Sequence, residues 1–319
     1  MSVIELYNRV YPYLMGLEKQ RQKNVRLLCT VGFVVALVCL FLFWLLLHNL
    51  AVRGNGIFLS FSPVLVFSWW ADHFVIKPYK RNYKRHVVNS VIAAIYPNLT
   101  YDANAKIPSS LYRASHLFPQ GFDRYRGEDY VQGLVGKTQI QFSELHVEKR
   151  SYDSKNRRRY YTQFRGLYFV ADFNKHFQHT TIVLPDATEK IFGRFASAFQ
   201  KMGGMVDGRP GKLIKLEDHE FEKRFKVLAT NDTEARYILS PSLMRRIMEF
   251  SKNGSRRISL GFVHSHVHIA IQGSHNRFEP KLFSSIVKPD IVSELVDDVQ
   301  MVVGIVEDLN LNTRIWTKA

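Results

Sequence analysis

The chain has 319 residues, 46% of them hydrophobic and 13% aromatic, and 44 lysines and arginines against 28 aspartates and glutamates give it a formal net charge of +16. Two cysteines exclude a small secreted scaffold held by disulfides, and this much apolar and aromatic material excludes a disordered chain. The charge is unevenly placed, because residues 1–85 hold 11 basic and only 3 acidic residues.

The N-terminal segment predicts a helix that enters a membrane. Residues 1–26 space their apolar side chains at helical intervals, which is typical of an amphipathic helix. Residues 27–47 then carry no charge over a length that crosses roughly 30 Å of hydrocarbon at about 1.5 Å per residue. We therefore expect an amphipathic cytosolic helix over 1–26 and a transmembrane helix over 27–47. Cys29 and Cys39 fall inside this span as small apolar packing residues.

A second apolar run, residues 57–76, is less pure. It contains Pro63 and Asp72, but membrane helices tolerate proline, and its two tryptophans suit the headgroup level. The short connection 48–56 would force the two spans into an antiparallel hairpin over 27–76. A basic juxtamembrane helix is predicted over 77–98. It either packs on the helix of 1–26 or acts with it in self-association or headgroup binding.

The charges around this hairpin predict its orientation. The connection carries only Arg53, whereas the outer flanks are rich in basic residues. The residues expected to determine topology are Arg21, Lys23 and Arg26 before the first span, and Lys77, Lys80, Arg81, Lys84 and Arg85 after the second. Basic flanks stay in the cytoplasm, so both termini are predicted to be cytoplasmic.

Residues 99–319 predict a cytosolic α+β domain with a mainly antiparallel sheet and packed helices. Strand patterns dominate from about 129 to 186, with a hairpin around Gly136, and a late strand pair follows over 257–271. Capping signals at Asp186 and at Ser240-Pro241 open two helices, and a long helix is expected from Pro289 to about 309. Because strands and helices come in clusters, α+β is favoured over α/β.

Several separated motifs carry a resemblance to a known family. They are GLYFVADFNKHF from residue 166, TIVLPD from 181, LEDHEFEKRFKV from 216, EARYILSPSLM from 234 and LNLNTRIW from 309. In this order they resemble the bacterial family of domain of unknown function 3137, many of whose members carry a preceding double span. The resemblance implies a protein anchored in a bacterial inner membrane with a cytosolic α+β domain, and it implies no catalytic residues.

Three histidines are the candidate metal ligands. His264, His266 and His268 alternate along a predicted strand, so their imidazoles can share one face, and neighbours two apart can chelate zinc or another divalent metal. The outer pair lies roughly 13 Å apart at about 3.3 Å per residue, which disfavours one ion for all three. Hydrogen-bonded or exposed histidines are the alternative interpretation.

A basic cluster between two predicted strands is the candidate contact surface. It consists of Lys149, Arg150, Lys155, Arg157, Arg158 and Arg159 with interleaved tyrosines. Such a hairpin loop can contact phosphates of anionic lipid or of nucleic acid, or can simply be solvated. The membrane tether favours lipid over nucleic acid.

No familiar catalytic constellation is present. The acids between Glu217 and Glu222 are explained by the start of a helix, and Gly136-Lys137-Thr138 lacks the glycine that a phosphate-binding loop needs at position 131. Two hypotheses follow. The first is a membrane-tethered interaction or scaffold module that binds a protein partner or anionic lipid. The second is a metal-dependent enzyme or metal-binding domain built on the three histidines.

Overall fold

The computed structural model describes residues 3–48, 62–118, 120–152, 156–173, 177–185, 205–206, 209–210, 212–252, 257–273, 278–309 and 311. The chain divides into two compact units. The first comprises residues 1–95 and 277–297, and the second comprises residues 96–276 and 298–319.

Two long helical segments dominate the first unit. Helix α1 runs unbroken from Val3–His48. The second segment consists of α2 (Ser62–Trp70), α3 (Lys77–Tyr83) and α4 (Asn89–Ile95), joined by π-helical turns at Ala71–Ile76 and Lys84–Val88. The predicted amphipathic helix and first span are thus parts of one helix.

The two helical segments run antiparallel. The ring of Tyr13 stacks on that of His86 at 5.7 Å, and further along α1 a Cβ added to Gly32 would lie 3.5 Å from the ring of Phe67. Later residues of α1 thus contact earlier residues of the second segment, so the two segments run in opposite directions. The apolar end of α1 therefore lies beside the apolar α2.

Within the described residues, α1 is the one helix long and apolar enough to cross a membrane. Its most apolar stretch is almost entirely unburied, with Phe33 67% exposed, which is unlike the core helix of a soluble protein. Helix α2 also exposes apolar side chains, and Leu65 is 74% exposed. Residues 57–61 of the predicted second span lie outside the described residues, so the two-span hairpin stays a prediction.

A late segment of the chain packs on these helices. The carboxylate of Glu18 accepts hydrogen bonds from the Arg21 side chain at 2.7 and 2.9 Å and from the backbone N–H of Ile286 at 3.1 Å. Arg21 also donates to the carbonyl oxygen of Leu282, and Lys80 pairs with Glu279 at 2.6 Å. Residues 278–297 therefore belong to the helical unit, whereas the sequence grouped them with the cytosolic domain.

The second unit is built on a nine-stranded antiparallel sheet. Its strands are β1 (Leu99–Asp102), β2 (Arg124–Val135), β3 (Thr138–Tyr152), β4 (Arg158–Asp172), β5 (Thr181–Pro185), β8 (Lys212–Ile214), β9 (Phe225–Ala229), β10 (Arg257–Val263) and β11 (His266–Gln272), while β6 (Met205–Val206) and β7 (Arg209–Pro210) form a separate pair. The order is β1-β2-β3-β4-β11-β10-β5-β9-β8. The late β10–β11 hairpin thus lies between β4 and β5, and the predicted antiparallel α+β fold is confirmed.

The centre of the sheet is buried on both faces. Tyr168 and Val170 of β4 join Ala270 of β11 in an apolar cluster that includes Tyr112 and Leu117 from the segment before β2. Side chains that alternate with these on the strands, such as Phe169, point to the other face of the sheet and are equally buried. Burial on both faces explains why these strands are nearly continuous apolar runs.

Short and long helices complete the second unit. They are α5 (Ser109–Ala114), α6 (His219–Glu222), α7 (Asp232–Ile238), α8 (Pro241–Lys252) and α9 (Pro289–Asp308), the last of which begins in the first unit. Helix α8 starts as predicted, with the backbone N–H of Leu243 donating to Ser240 Oγ. The helix predicted after Asp186 lies outside the described residues.

Candidate functional site

The basic cluster lies on a protruding β-hairpin. Strand β2 pairs with β3 only as far as Glu148, whereas β3 and β4 continue to pair up to Tyr152 and Arg158. We call residues 149–161 the basic arm. The sequence predicted a loop here, but most of the cationic residues are on paired strands, and Lys155 lies outside the described residues.

Alternation along the arm divides its side chains between two faces. Arg150 and Tyr160 are directly opposed, as are Tyr152 and Arg158, while Arg159 points to the other face. Arg158 and Arg159 are exposed. Both faces of the arm thus offer arginine beside tyrosine, a pairing suited to phosphate-bearing surfaces.

Part of the arm's charge is compensated within the domain. Asp123 accepts the backbone N–H of Arg150 at 2.8 Å and lies 3.7 Å from Lys149 Nζ and 3.9 Å from Arg150 Nη2. That backbone bond, helped by both cations, holds the pKa of the Asp123 carboxyl below its usual value. The guanidinium of Arg124 stacks over Tyr160 at 3.5 Å from the ring centre. Arg157, Arg158 and Arg159 lie closer to the tip of the arm and are exposed.

The three predicted metal ligands occupy different environments. His264 lies in the turn before β11 with φ of 54°, His266 is exposed at the start of the strand, and His268 is 2% exposed. The rings of His266 and His268 are 6.3 Å apart. Within the described part of the chain, no three histidine, cysteine or acidic side chains are grouped so that they could hold a metal ion.

His268 is held as a neutral side chain. The hydroxyl of Tyr168 and Nδ1 of His268 share a hydrogen bond of 3.1 Å. Burial lowers the pKa of His268 to about 3, with smaller contributions from His266, His116 and His264. Nδ1 of this imidazole is thus engaged by Tyr168, and the zinc hypothesis stays a prediction.

The acidic group before β9 has a structural role. Asp218 caps α6 by accepting the backbone N–H groups of Glu220 and Phe221, both at 3.0 Å. Glu222 accepts the backbone N–H of Leu216 at 2.8 Å. These contacts agree with the interpretation as a helix start.

Several of the residues predicted to determine topology are engaged in contacts of the first unit. Arg21 and Lys80 hold the segment 278–297, Lys77 pairs with Asp72 at 2.6 Å, and Lys84 is buried. The basic flanks thus carry structural bonds in addition to any effect on orientation.

The sequence did not point to a row of basic residues that the sheet brings together. Arg126 is opposite His146 in the β2–β3 pairing, and His146 is opposite Arg165 in the β3–β4 pairing. They border a groove of about 430 Å³ on one face of the sheet. About 20 residues separate each from the next along the chain, so only strand register reveals the row.

Comparisons with known proteins find one family model that is similar to part of the chain. No curated protein matches the chain. The crystal structure of the mycobacterial trehalose monomycolate transport factor A, TtfA, is similar with a TM-score of 0.30 and 11% identity, over 72% of this chain and 97% of that one. Residues 162–311 match the family model described as "Protein of unknown function (DUF3137)", which confirms the resemblance seen in the sequence. Over these residues, from the arm side of β4 to just past the end of α9, just under half of the chain is similar to the DUF3137 family.

Proposed function

We propose that this chain is a two-span integral membrane protein whose cytosolic DUF3137 domain is an interaction module that contacts anionic lipid through its basic arm. The observation that carries the proposal is the arm itself, a hairpin that extends past the sheet and carries arginines and tyrosines on both faces. The tether keeps the domain near a surface of lipid phosphates, so lipid is favoured over nucleic acid.

The antiparallel helices support the two-span anchor. Phe67 of α2 lies against Gly32 of α1, so a bilayer that accepts α1 meets the exposed apolar side chains of α2 at the same depth. Within residues 27–47 no charge would have to be buried in lipid. The basic flanks then favour cytoplasmic termini, in a bacterial inner membrane.

The chemistry of the arm supports an anionic surface as its partner. Each basic residue near an anionic leaflet contributes about 1 kcal/mol of attraction, which salt screens. Tyrosine and arginine stems add apolar contact at the headgroup level. A protein partner with a complementary acidic surface would use the same residues.

Co-flotation of the full chain, with its apolar helices held in detergent-free zwitterionic nanodiscs, with anionic and with zwitterionic vesicles tests the proposal. The variant R158E/R159E reverses two exposed charges at the arm, and K212E/K215E makes the same change in charge on and just after β8, at the far edge of the sheet. We expect the arm variant to bind anionic vesicles about tenfold or more weakly. The control variant should bind as the wild type does.

Salt dependence is the second readout. Wild-type binding should weaken as salt rises, and the dependence should flatten in the arm variant. Equal binding of both variants, or equal binding to neutral vesicles, would contradict a lipid-contacting arm.

A further inference from the structure

A groove of about 430 Å³ lies on one face of β2, β3 and β4, in the second unit. Its floor is the backbone of Gly127, Leu145 and Gly166, which pair with one another in register across the three strands. One wall is the loop after β1, with Ala103 and Asn104. The groove is on the sheet proper, before the strands continue into the basic arm.

A row of basic side chains crosses one end of the groove. Arg126, His146 and Arg165 occupy directly opposed positions on neighbouring strands, which are about 4.8 Å apart, so all three side chains start within roughly 10 Å. Within the described part of the chain, no ion pair or hydrogen bond engages the guanidinium of Arg126 or Arg165. Two such guanidiniums can bind one phosphate in the bidentate geometry that arginine favours.

An acidic row lies beside the basic row. Glu128 and Glu144 are opposed on β2 and β3, each two residues from its basic neighbour and so on the same face, about 6.6 Å further along the strand. These carboxylates repel a second negative charge and attract a cationic one. A ligand that matches both rows carries opposite charges a few bonds apart.

A bulge in β2 lies beside the groove. The β2–β3 register shifts between Glu128 and Val131, and the intervening Asp129 is buried with φ of 59°, a conformation that non-glycine residues seldom adopt. Asp129 is fixed by its N–H to the carbonyl oxygen of Ala103 and by the hydroxyl of Tyr101, which donates to its carboxylate. Bulges and strained residues of this kind concentrate next to functional sites.

From this arrangement we propose that the groove binds a zwitterionic phosphate ester, with the phosphate on Arg126 and Arg165 and the ammonium group beside Glu128. His146 lies between the two arginines and completes the phosphate end. The ligand is either a free amino-alcohol phosphate or the headgroup of an aminophospholipid, which share this chemistry. The site is separate from the basic arm and goes beyond the function proposed above.

Calorimetric titration of the full chain in a maltoside detergent, which carries no phosphate, tests the assignment. The probes are phosphoethanolamine, inorganic phosphate and, for the lipid source, lysophosphatidylethanolamine in the same micelles. We expect phosphoethanolamine to bind more tightly than phosphate, and R126A and R165A each to weaken it about tenfold or more. E128Q should remove the preference for phosphoethanolamine and leave phosphate binding unchanged.

The variant K212A is the matched control, because it removes an exposed cation on β8, outside both the groove and the basic arm, and should bind phosphoethanolamine as the wild type does. Circular dichroism confirms that each variant is folded. Binding of the soluble probe supports a free ligand, and binding of the lysolipid alone supports a headgroup. The proposal is overturned if neither phosphoethanolamine nor the lysolipid binds in a way that depends on Arg126 and Arg165, or if phosphate and phosphoethanolamine both bind and do so with equal affinity.

Discussion

Replacement of Glu18 by alanine should release the segment 278–297 from α1. The Glu18 carboxylate joins the Arg21 guanidinium, the Gln22 amide and the backbone N–H of Ile286. Ile286 is fully buried, so the substitution leaves its N–H without an acceptor and removes the ion-pair partner of Arg21. The substitution therefore weakens the contact between α1 and the segment 278–297.

The magnitude follows from the burial of the pair. Breaking a buried ion pair by removing one partner costs roughly 3–5 kcal/mol. The side chains of Arg21 and Glu18 retain 12% and 11% exposure, and we therefore expect a loss somewhat below that range, about 2–3 kcal/mol. The Arg21 hydrogen bonds lower the pKa of Glu18 to about 2 against burial, with a further contribution from Ile286. This stabilisation is thus complete above pH 4.5 and is lost as the pH falls toward 2.

Hydrogen exchange of the full chain in detergent measures the effect. In E18A the peptide that contains Ile286 should exchange about thirtyfold or more faster at neutral pH. E18Q keeps a carbonyl oxygen for the Ile286 N–H and should be intermediate. K19A alters an exposed neighbour on the same helix and should exchange as the wild type does. Wild-type exchange at Ile286 in E18A would refute the reasoning.

Three further outcomes are expected. The pKa of His268 is lowered to about 3 in the folded protein, so the free energy of unfolding should fall as the pH drops below 6.5, by on the order of 1 kcal/mol per pH unit. Urea titrations at pH 7 and pH 5 should show a smaller fall for H268Q than for the wild type. G166A should destabilise the sheet by about 3 kcal/mol or more in the same titrations, since φ is 149° and the added Cβ would lie 2.1 Å from the carbonyl oxygen of Ile271; a small effect would mean that β11 can move away. Tags at both termini should be digested by protease in inverted membrane vesicles and protected in intact cells, whereas opposite exposure of the two tags would contradict two spans.

Local signals in the sequence predicted local structure well. The hairpin around Gly136 is confirmed, with φ of 60° at that glycine, and so is the start of α8 at Ser240-Pro241. The strand pair after residue 257 is also confirmed. Turn chemistry, capping and alternation act over a few residues, and a single sequence contains all that they need.

Arrangements that depend on distant partners could not be predicted. The groove requires the register that opposes Arg126, His146 and Arg165, and no motif encodes register between separate strands. The arm was predicted as a loop because a run of charged residues is typical of a solvent-exposed loop. In the structure, the pairing of β3 with β4 continues as far as Tyr152 and Arg158. The docking of residues 278–297 depends on Glu18, more than 250 residues away.

The place of the β10–β11 hairpin in the sheet has a consequence for biosynthesis. Strands β4 and β5 are joined in the sheet only through β11 and β10. A nascent chain therefore lacks the pairing partners of these two strand edges during the synthesis of about 75 further residues. Such long-range pairing is slow, and open edges invite association with neighbouring chains. A ribosome held at the membrane by an already inserted N-terminal helix would keep these intermediates apart. We therefore expect chains truncated before residue 257 to aggregate, even though they carry every strand of the β1–β4 meander.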